Sequence, residues 1–195
     1  MPKSFRIRLA TMADAEAILA IYAPLVSHSA VSFETEPPSV TEMAGRIERT
    51  LPEFPWLVAQ GRGVVLGYAY ASRYRPRAAY QWAVECSVYV HPDARRQGIA
   101  GALYKALFAI LRLQGFYKVY AAVTLPNPGS VAVHETFGFR QFATYRAVGY
   151  KLGAWQDVGW WEMDLRELSG EPVAPKPFNQ LAKSSELAEI LSATS

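Results

Sequence analysis

The sequence predicts a mixed α/β domain. Two kinds of segment predict it: short apolar or alternating runs, and longer runs in which apolar residues recur every three or four positions. They follow one another as a strand, two helices, a run of strands, a helix, a strand, a helix and two final strands, which is typical of a sheet flanked by helices. With 195 residues, 51% of them hydrophobic, the chain can bury one sizeable core, so we expect one active site or binding face.

The first half of the chain contains two predicted helices and the first predicted hairpin. Alternation predicts a half-buried strand for FRIRLA, and helical spacing of Ile18, Leu19 and Tyr22 predicts a helix in TMADAEAILAIYAPLV. Thr11, followed three residues later by Asp14, predicts the start of that helix. A second helix is predicted in TEMAGRIERTL, then a hairpin in WLVAQ-GRG-VVLGYAYASRY and a strand in QWAVECSVYV.

The strongest helical pattern lies in the second half of the chain. Leu103, Leu107, Ile110 and Leu111 share one face there, and Gly115 stands at the expected end of the helix. It is followed by a predicted strand in KVYAAVTL, a short helix in SVAVHETFG, and an antiparallel pair of strands in RQFATYRAVGYK and WQDVGWWEMDL. These elements define an expected domain over residues 4–166.

Residues 167–195 form a predicted C-terminal tail. The segment SGEPVAPKPFN is rich in proline, and SSELAEILSATS can form about two turns of amphipathic helix. The tail is either loose or docked on the domain, and its composition slightly favours the loose state.

Charge and cysteine content narrow the class of function. The net charge of +3 is scattered without a Lys/Arg tract, so no nucleic-acid partner is expected. Cys86 is the single cysteine and lies in an apolar run, which fits a reducing compartment. The sequence has no secretory signal pattern and no apolar stretch of about 20 residues, so we expect a cytoplasmic protein without membrane association.

A bare, positively charged turn opens the central helix in HPDARRQGIAGALY. A helix N-terminus presents unpaired N–H groups and binds phosphate, and Gly98 and Ala100 leave its backbone accessible while Arg95 and Arg96 add charge. An ordinary strand-to-helix connection with solvated arginines has the same features, so the turn alone fits both interpretations. Its spacing differs from the P-loop and the dinucleotide fingerprint, which disfavours nucleotide hydrolysis and hydride transfer.

The segment SVYVHPDARRQGIAGALY resembles the acyl-CoA-binding motif of the GNAT N-acetyltransferase superfamily. In that superfamily a Q/R-x-x-G-x-G/A turn after the fourth strand holds the pyrophosphate of coenzyme A, and Arg95, Gly98 and Ala100 occupy its defining positions. The resemblance implies a GNAT fold: a mixed central sheet flanked by helices, with splayed fourth and fifth strands forming the acyl-CoA cleft. It also implies acetyl-CoA as co-substrate and no metal.

The cofactor-binding residues implied by this resemblance lie on a strand, a turn and a second turn. The acyl-pantetheine is expected along the main chain of residues 88–90, and Asn127 in LPNPGS is expected to bond the pantetheine arm. Ser130 is the predicted N-cap of the following helix. The full set is Val88, Tyr89, Val90, Arg95, Arg96, Gln97, Gly98, Ile99, Ala100, Gly101, Asn127 and Ser130.

Three further segments, VECSVYV, LPNPGSVAVHETFGF and GYKLGAWQDVGWWEMDL, resemble the phosphinothricin acetyltransferase subfamily. Its members acetylate the amino group of glutamate-like phosphinic or sulfoximine amino acids. The likeness implies an enzyme that transfers acetyl directly to a small amine within a ternary complex, and a homodimer. Two alternatives stay open: a GNAT enzyme for another amine, such as an amino acid, a polyamine or a protein N-terminus, and a non-catalytic acyl-CoA-binding module.

Two residues are candidates for proton transfer. An amine attacks a thioester as the free base, and strand alternation places Glu85 on the face opposite Val84 and Cys86, together with Ser87 and Tyr89. The resemblance implies that Glu85 is the general base, directly or through a water; a surface glutamate is the alternative. Cys86 is predicted to be a core residue, since no histidine is close to it in sequence.

His134 is the candidate general acid. The superfamily often has a tyrosine at this position that can protonate the departing thiolate, and the phosphinothricin subfamily has histidine, which can donate or relay a proton near neutral pH. A purely structural histidine is equally compatible with the sequence, and Tyr89 or a water is then the proton donor.

Four residues are candidates for acceptor binding. The segment SRYRPRAAYQW places arginines at or beyond a strand end, where their guanidinium forks suit carboxylate, phosphinate or sulfoximine oxygens. The resemblance implies that this loop and SFETEP contribute to the acceptor pocket, which gives Phe33, Glu34, Arg75 and Arg77. A solvated arginine loop is the alternative. Tyr150, Lys151 and Trp155 fit core, pocket or dimer contacts, and the core is the expectation for Trp155.

Overall fold

The computed structural model describes residues 5–193 as a seven-stranded mixed sheet with helices packed on its two faces. The strands are β1 (Arg6–Leu9), β2 (Trp56–Gly61), β3 (Val64–Arg73), β4 (Ala83–Val90), β5 (Lys118–Leu125), β6 (Arg140–Lys151) and β7 (Ala154–Asp164). The helices are α1 (Ala15–His28), α2 (Val40–Thr50), α3 (Ile99–Gln114), α4 (Pro128–Thr136) and α5 (Ser185–Ala193). The predicted domain start, Ser4, and the last two residues of the predicted tail lie outside the described residues.

Side-chain alternation divides the core into two layers. On β2, Leu57 and Ala59 pack in the cluster that contains α3, whereas Trp56 and Val58 pack in the cluster with α1 and α2. The apolar face predicted for the central helix is buried, and Gly115 ends that helix in the left-handed conformation at φ 100°. A central strand of the sheet therefore presents alternate side chains to the two helical layers, one row to each.

The sheet order is β1-β2-β3-β4-β5-β7-β6, with β4 and β5 parallel and the neighbours antiparallel. Within the described residues, β4 and β5 are in register only from Ala83↔Lys118 to Glu85↔Tyr120. Beyond that point β4 continues along β3 to Val90 and β5 continues along β7 to Leu125. The two strands therefore diverge into an open cleft, which confirms the predicted splay.

The start of the first helix is fixed by a capping interaction. Thr11 precedes a short 3-10 turn, and its backbone N–H donates to the Asp14 carboxylate at 2.8 Å. Arg8 of β1 donates to the same carboxylate from its two terminal guanidinium nitrogens, at 2.6 and 2.8 Å. The predicted role of Thr11 and Asp14 at the helix start is confirmed, and the ion pair ties that start to the sheet.

The C-terminal tail docks on the domain instead of remaining loose. Phe178 and Leu187 are both buried in the α3-side core. The Trp82 indole N–H donates to the Val173 carbonyl at 2.9 Å, and the Gln114 side-chain amide donates to the Lys176 carbonyl at 2.9 Å. Composition slightly favoured the loose state because the polar and proline residues outnumber the few large apolar side chains that anchor the tail.

The hairpin of β6 and β7 carries an exposed apolar patch. Trp155 is 67% exposed, so its predicted place in the core is wrong. The reason is position: it lies opposite Tyr150 near the turn of the hairpin, and β6 is the edge strand of the sheet, with mostly exposed side chains. The exposed apolar residues of this hairpin, together called the hairpin patch, lie on both of its faces, with Phe142 and Tyr145 against Tyr120 and Trp160 and with Tyr150 against Trp155. They are Phe142, Tyr145, Val148, Tyr150, Leu152 and Trp155. Among residues 5–193, no helix combines the length and apolar character required to cross a bilayer.

Candidate active site

A cavity of about 850 Å³ occupies the cleft between β4 and β5. Its lining includes every predicted cofactor-binding residue except Gln97, whose side-chain amide donates instead to the Asp93 carbonyl at 3.2 Å. The wall also includes Leu25 of α1, residues 29–31 of the following loop, Gln156 of β7 and the end of β5 at Thr124 and Leu125. The strand, turn and loop residues predicted separately from the sequence therefore meet around one space.

The turn before α3 exposes the start of the helix to this cavity. Gly98 is its N-cap in the left-handed conformation at φ 78°, where a residue with a side chain costs about 1–2 kcal/mol. The first four N–H groups of a helix have no acceptor within it. Arg95 and Arg96 line the cavity with exposed side chains beside those N–H groups. The arrangement has the donors and charge required to bind a phosphate anion.

Asn127 begins α4 on the opposite wall of the cavity. Its side-chain oxygen accepts from the Ser130 backbone N–H at 3.1 Å, so Asn127 is the N-cap. The predicted cap, Ser130, is wrong by one turn: Pro128 can occupy the first helical position because its missing N–H needs no partner there. With its oxygen engaged in the cap, Asn127 has its NH₂ group to donate to a ligand.

Glu85 lies where β4 and β5 part. It is the last β4 residue in register with β5, and its neighbour Cys86 packs in the α3-side core. Glu85 therefore faces away from Cys86, as predicted, toward the α1 and α2 side. Burial raises the pKa of its half-buried carboxyl, and the positive charge of Arg75 opposes that rise. A carboxylate with a raised pKa at the apex of a cleft is suited to accept a proton from a bound group.

The structure brings one of the two predicted arginines to this apex. β3 ends at Arg73, so the strand does not continue through Pro76, and the arginines do not alternate along it. Arg75 lies over the Tyr74 ring at 4.9 Å and near the Trp160 ring at 5.9 Å. Arg77 is exposed at the start of a 3-10 turn.

An aromatic wall beside Glu85 was not found from the sequence. Tyr120 pairs with Glu85 across the two strands, and its ring stacks on Tyr74 with centroids 4.2 Å apart. Trp160 lies on the same face, and its indole N–H is buried with no hydrogen-bond partner among residues 5–193. One sequence feature could have revealed this wall. Side chains alternate along KVYAAVTL, and pairing this strand with the strand of Glu85 places Tyr120 on the same face of the sheet as Glu85.

His134 is buried beneath the cleft. Its Nδ1 lies 2.7 Å from the Ser130 carbonyl oxygen, which can only accept, so Nδ1 carries the proton. Its Nε2 therefore accepts from the Tyr104 hydroxyl at 2.8 Å. Burial lowers the pKa of His134, and the bond to Ser130 opposes that shift. His134 thus has the geometry of a neutral imidazole; Ser130, one turn earlier, lines the cavity, whereas His134 does not.

Cys86 belongs to the same buried chain of hydrogen bonds. Its thiol donates to the Tyr104 oxygen at 3.6 Å, and burial raises its pKa to about 12. A thiol so weakly acidic is a poor nucleophile near neutral pH. Cys86 also lies on the opposite side of β4 from Glu85, in agreement with its predicted place in the core.

The loop after α1 places the other two predicted acceptor residues differently. The Glu34 carboxylate accepts from both terminal guanidinium nitrogens of Arg46, at 2.7 and 3.0 Å, and from the Tyr22 hydroxyl at 2.9 Å. The Arg46 guanidinium holds the pKa of Glu34 below its usual range. Phe33 is 41% exposed and packs on Gly149 of β6. Glu34 therefore anchors the loop, and Phe33 lies at its surface.

Comparisons with known proteins agree with this architecture. Residues 7–160 match the profile of the acetyltransferase (GNAT) domain. A phosphinothricin N-acetyltransferase from Streptomyces viridochromogenes is 42% identical over 175 residues, which cover 90% of this chain and 95% of the relative. An L-methionine sulfoximine/L-methionine sulfone acetyltransferase from Pseudomonas aeruginosa is 33% identical, covering 87% of this chain and 99% of the relative.

A solved structure shows the same arrangement of elements. The GNAT phosphinothricin acetyltransferase from Sinorhizobium meliloti, crystallised with AcCoA, superposes with a TM-score of 0.83 at 36% identity and covers 87% of this chain and 94% of its own. The profile match over residues 7–160 includes both diverging strands, the turn before α3 and β6. With the profile match over most of its length, the chain belongs to the GNAT acetyltransferase family.

Proposed function

We propose that the protein is an acetyl-CoA-dependent N-acetyltransferase whose acceptor is a small amino acid of the phosphinothricin or methionine sulfoximine type. The observation that carries this proposal is one cavity bounded by a bare helix N-terminus with two arginines, in a cleft that begins at a half-buried glutamate. The named activities of the two curated relatives support the choice of acceptor.

The residues around the cavity fit a coenzyme A thioester. The N–H groups at the start of α3, together with Arg95 and Arg96, match a pyrophosphate in charge and hydrogen bonding. The β4 backbone over residues 88–90 faces the gap left by the absent β5 pairing, where an extended chain with amide groups can bind. Asn127 offers an amide donor from the opposite wall. Acetyl-CoA supplies the acetyl group as a thioester.

Glu85 and Arg75 act on the acceptor, at its amino group and at its acidic head. Glu85 takes a proton from the amino group, which allows the nitrogen to bond to the thioester carbonyl carbon as the carbon–sulfur bond breaks. Arg75 offers a guanidinium for the acidic head of the acceptor, and its stacking on Tyr74 limits its freedom. Transfer is direct within a ternary complex, since Cys86 lies on the other face of β4.

The thiolate that leaves must take up a proton, and His134 is the proposed source. Its route to the cavity runs through Ser130, whose hydroxyl lies 3.4 Å from Nδ1 and which lines the cavity. As Nδ1 gives up its proton, Nε2 takes the hydroxyl proton of Tyr104, so the ring stays neutral; Tyr104 then regains one proton, which balances the one that Glu85 removed from the amine.

We also propose that the protein is a cytoplasmic homodimer. The support for a second copy as partner is the hairpin patch on the edge strand β6, because long apolar edge strands are normally covered in a stable protein. The support for the cytoplasm is a single, buried, unpaired cysteine.

The test is release of coenzyme A thiol from acetyl-CoA by purified protein. The panel contains phosphinothricin, methionine sulfoximine, methionine sulfone and the common amino acids, with matched reactions lacking acceptor. Saturable turnover concentrated on the phosphinate or sulfoximine compounds supports the acceptor class. Intersecting lines in double-reciprocal plots of the initial rate, together with full activity of Cys86→Ser, support direct transfer. Turnover of other amines alone would overturn the acceptor class, and parallel lines with an inactive Cys86→Ser would overturn direct transfer.

A further inference from the structure

We infer that β6 selects the acceptor through Gly149 and Lys151, which position the loop that carries Phe33. This inference rests on the proposed function and adds to it two residues that act without touching the reacting atoms. Residues 29–34, between α1 and α2, are called the acceptor loop below.

Lys151 fastens the acceptor loop to the last residue of β6. Its ammonium nitrogen donates to the Ser32 carbonyl oxygen at 2.6 Å, and the residue is only 8% exposed. A buried ammonium is costly unless it is hydrogen-bonded, so this contact constrains both partners. Glu34, two residues along the loop, adds electrostatic attraction to the same ammonium.

Gly149 provides the surface on which Phe33 rests. A β-carbon at this position would lie 2.7 Å from Cζ of the Phe33 ring, closer than real side chains approach. Gly149 lies in the strand without a left-handed φ, so the need for glycine is steric. Any side chain here must push the Phe33 ring away from the hairpin.

The α1 and α2 side holds the same loop at other points. The Ser32 hydroxyl is 2.7 Å from the Tyr22 hydroxyl, and Glu34 is bound by Arg46. The loop is thus held between the helical layer and β6. The first half of the loop, residues 29–31, lines the cavity proposed for acetyl-CoA, whereas Ser32 and Phe33, which Lys151 and Gly149 hold, lie outside that lining.

The two substrates depend to different degrees on the outer half of the loop, Ser32 to Glu34, which lies outside the lining of the acetyl-CoA cavity. The phosphate-binding turn of residues 95–101 and the start of α4 lie on other elements, so a displaced acceptor loop leaves them intact. Displacement of a positioning element by about 1 Å can reduce the rate a hundredfold when it misaligns a bound reactant. Changes at Gly149 and Lys151 should therefore raise the KM for the acceptor far more than the KM for acetyl-CoA.

A double-mutant cycle tests the Gly149 contact. Gly149→Ala, Phe33→Ala and the combined variant are compared with wild type for both KM values and for the kcat/KM ratio of phosphinothricin to methionine sulfoximine. We expect Gly149→Ala to raise the acceptor KM by about tenfold and shift that ratio, and the same change to have little effect once Phe33 is alanine. Gly45→Ala on α2, where only the flexible end of Arg49 is near, is the matched control.

Lys151 is tested by Lys151→Met, which removes the charge and donor, beside Lys151→Arg, which keeps both. We expect a higher acceptor KM for the methionine variant and partial recovery for arginine. Equal changes in both KM values, or a Gly149→Ala effect that persists without Phe33, would overturn the inference. If the wild-type protein turned over no acceptor, the proposed function would fail instead. Amide hydrogen exchange of residues 29–34 then tests the positioning of the loop. Faster exchange in Lys151→Met would support the inference, and unchanged exchange would refute it.

Discussion

At the scale of single residues, Glu85 combines position with an altered acidity. It stands at the last registered pair between two diverging strands, and burial raises its pKa. The ordinary pKa of a glutamate is about 4.3, so its basic form is complete only at a pH above that value plus the shift. Below its pKa the group is protonated and cannot accept a proton from the amine.

The Glu85→Gln variant should bind acetyl-CoA normally and lose about 10²- to 10⁴-fold in kcat at pH 7. In wild type, kcat/KM should fall as pH decreases through the raised pKa of Glu85, with a midpoint above about 4.3, and this acid limb should be missing from the variant. Steady-state rates across pH, with calorimetric acetyl-CoA binding, check both points. An unchanged pH profile would remove Glu85 from the reaction.

The sequence predicted individual residues well where one strand or turn determines their placement. The face occupied by Glu85 follows from strand alternation, and the end of the central helix follows from the glycine at position 115. Glu34 is predicted to contact the acceptor; its bonds to Arg46 and Tyr22, which hold the loop, were not predicted. Those residues lie 12 positions away on two different helices, and no local pattern in the sequence reveals such a contact.

At the scale of elements, the turn before α3 concentrates positive charge at one end of the cavity. Arg95→Ala should raise the KM for acetyl-CoA by about 10-fold and leave the acceptor KM unchanged, since a charge-assisted hydrogen bond contributes about 1.5–3 kcal/mol. Arg49→Ala, on the exposed end of α2, removes the same charge elsewhere and serves as control. The difference between the two variants should shrink at high salt. An equal effect of both would exclude a specific phosphate contact.

The docked tail makes a second prediction at this scale. Phe178 is 2% exposed within the α3-side core, so Phe178→Ala should lower the free energy of unfolding by about 3–5 kcal/mol. Val173, 83% exposed in the same tail, should change it by less than about 0.5 kcal/mol when replaced by alanine. Urea unfolding of both variants measures the difference. Equal stability would mean that the tail does not dock in solution.

Secondary structure was more predictable than the packing of elements. The bounds of β5 match its apolar run, and the central helix ends at its predicted glycine. The docking of the tail and the exposure of Trp155 were missed because both depend on which surfaces remain uncovered after the sheet has formed. Apolar character alone does not distinguish a core residue from one on an exposed hairpin.

At the scale of the whole molecule, the hairpin patch predicts association of two copies. Trp155→Glu should convert a dimer into a monomer, because it replaces the most exposed apolar side chain of the hairpin patch with a charge that the contact would bury. Leu168→Glu, at an equally exposed apolar residue of the tail, should leave association unchanged. Sedimentation of wild type and both variants gives the molecular mass directly. A monomeric wild-type protein would refute the dimer.

The divergence of β4 and β5 also has a consequence for stability. Among residues 5–193, only three registered pairs join β4 of the antiparallel half, β1 to β4, to β5 of the other half, so few backbone hydrogen bonds link the two halves, although one apolar core packs beneath both. A ligand that hydrogen-bonds to both walls of the cleft links the two halves of the sheet. At a free concentration of 100 times its Kd, such a ligand would add about 2.7 kcal/mol to the stability of the folded state. Resistance of this protein to heat and proteolysis should therefore follow the local concentration of acyl-CoA, so that the supply of the acetyl donor governs the lifetime of the enzyme as well as its rate.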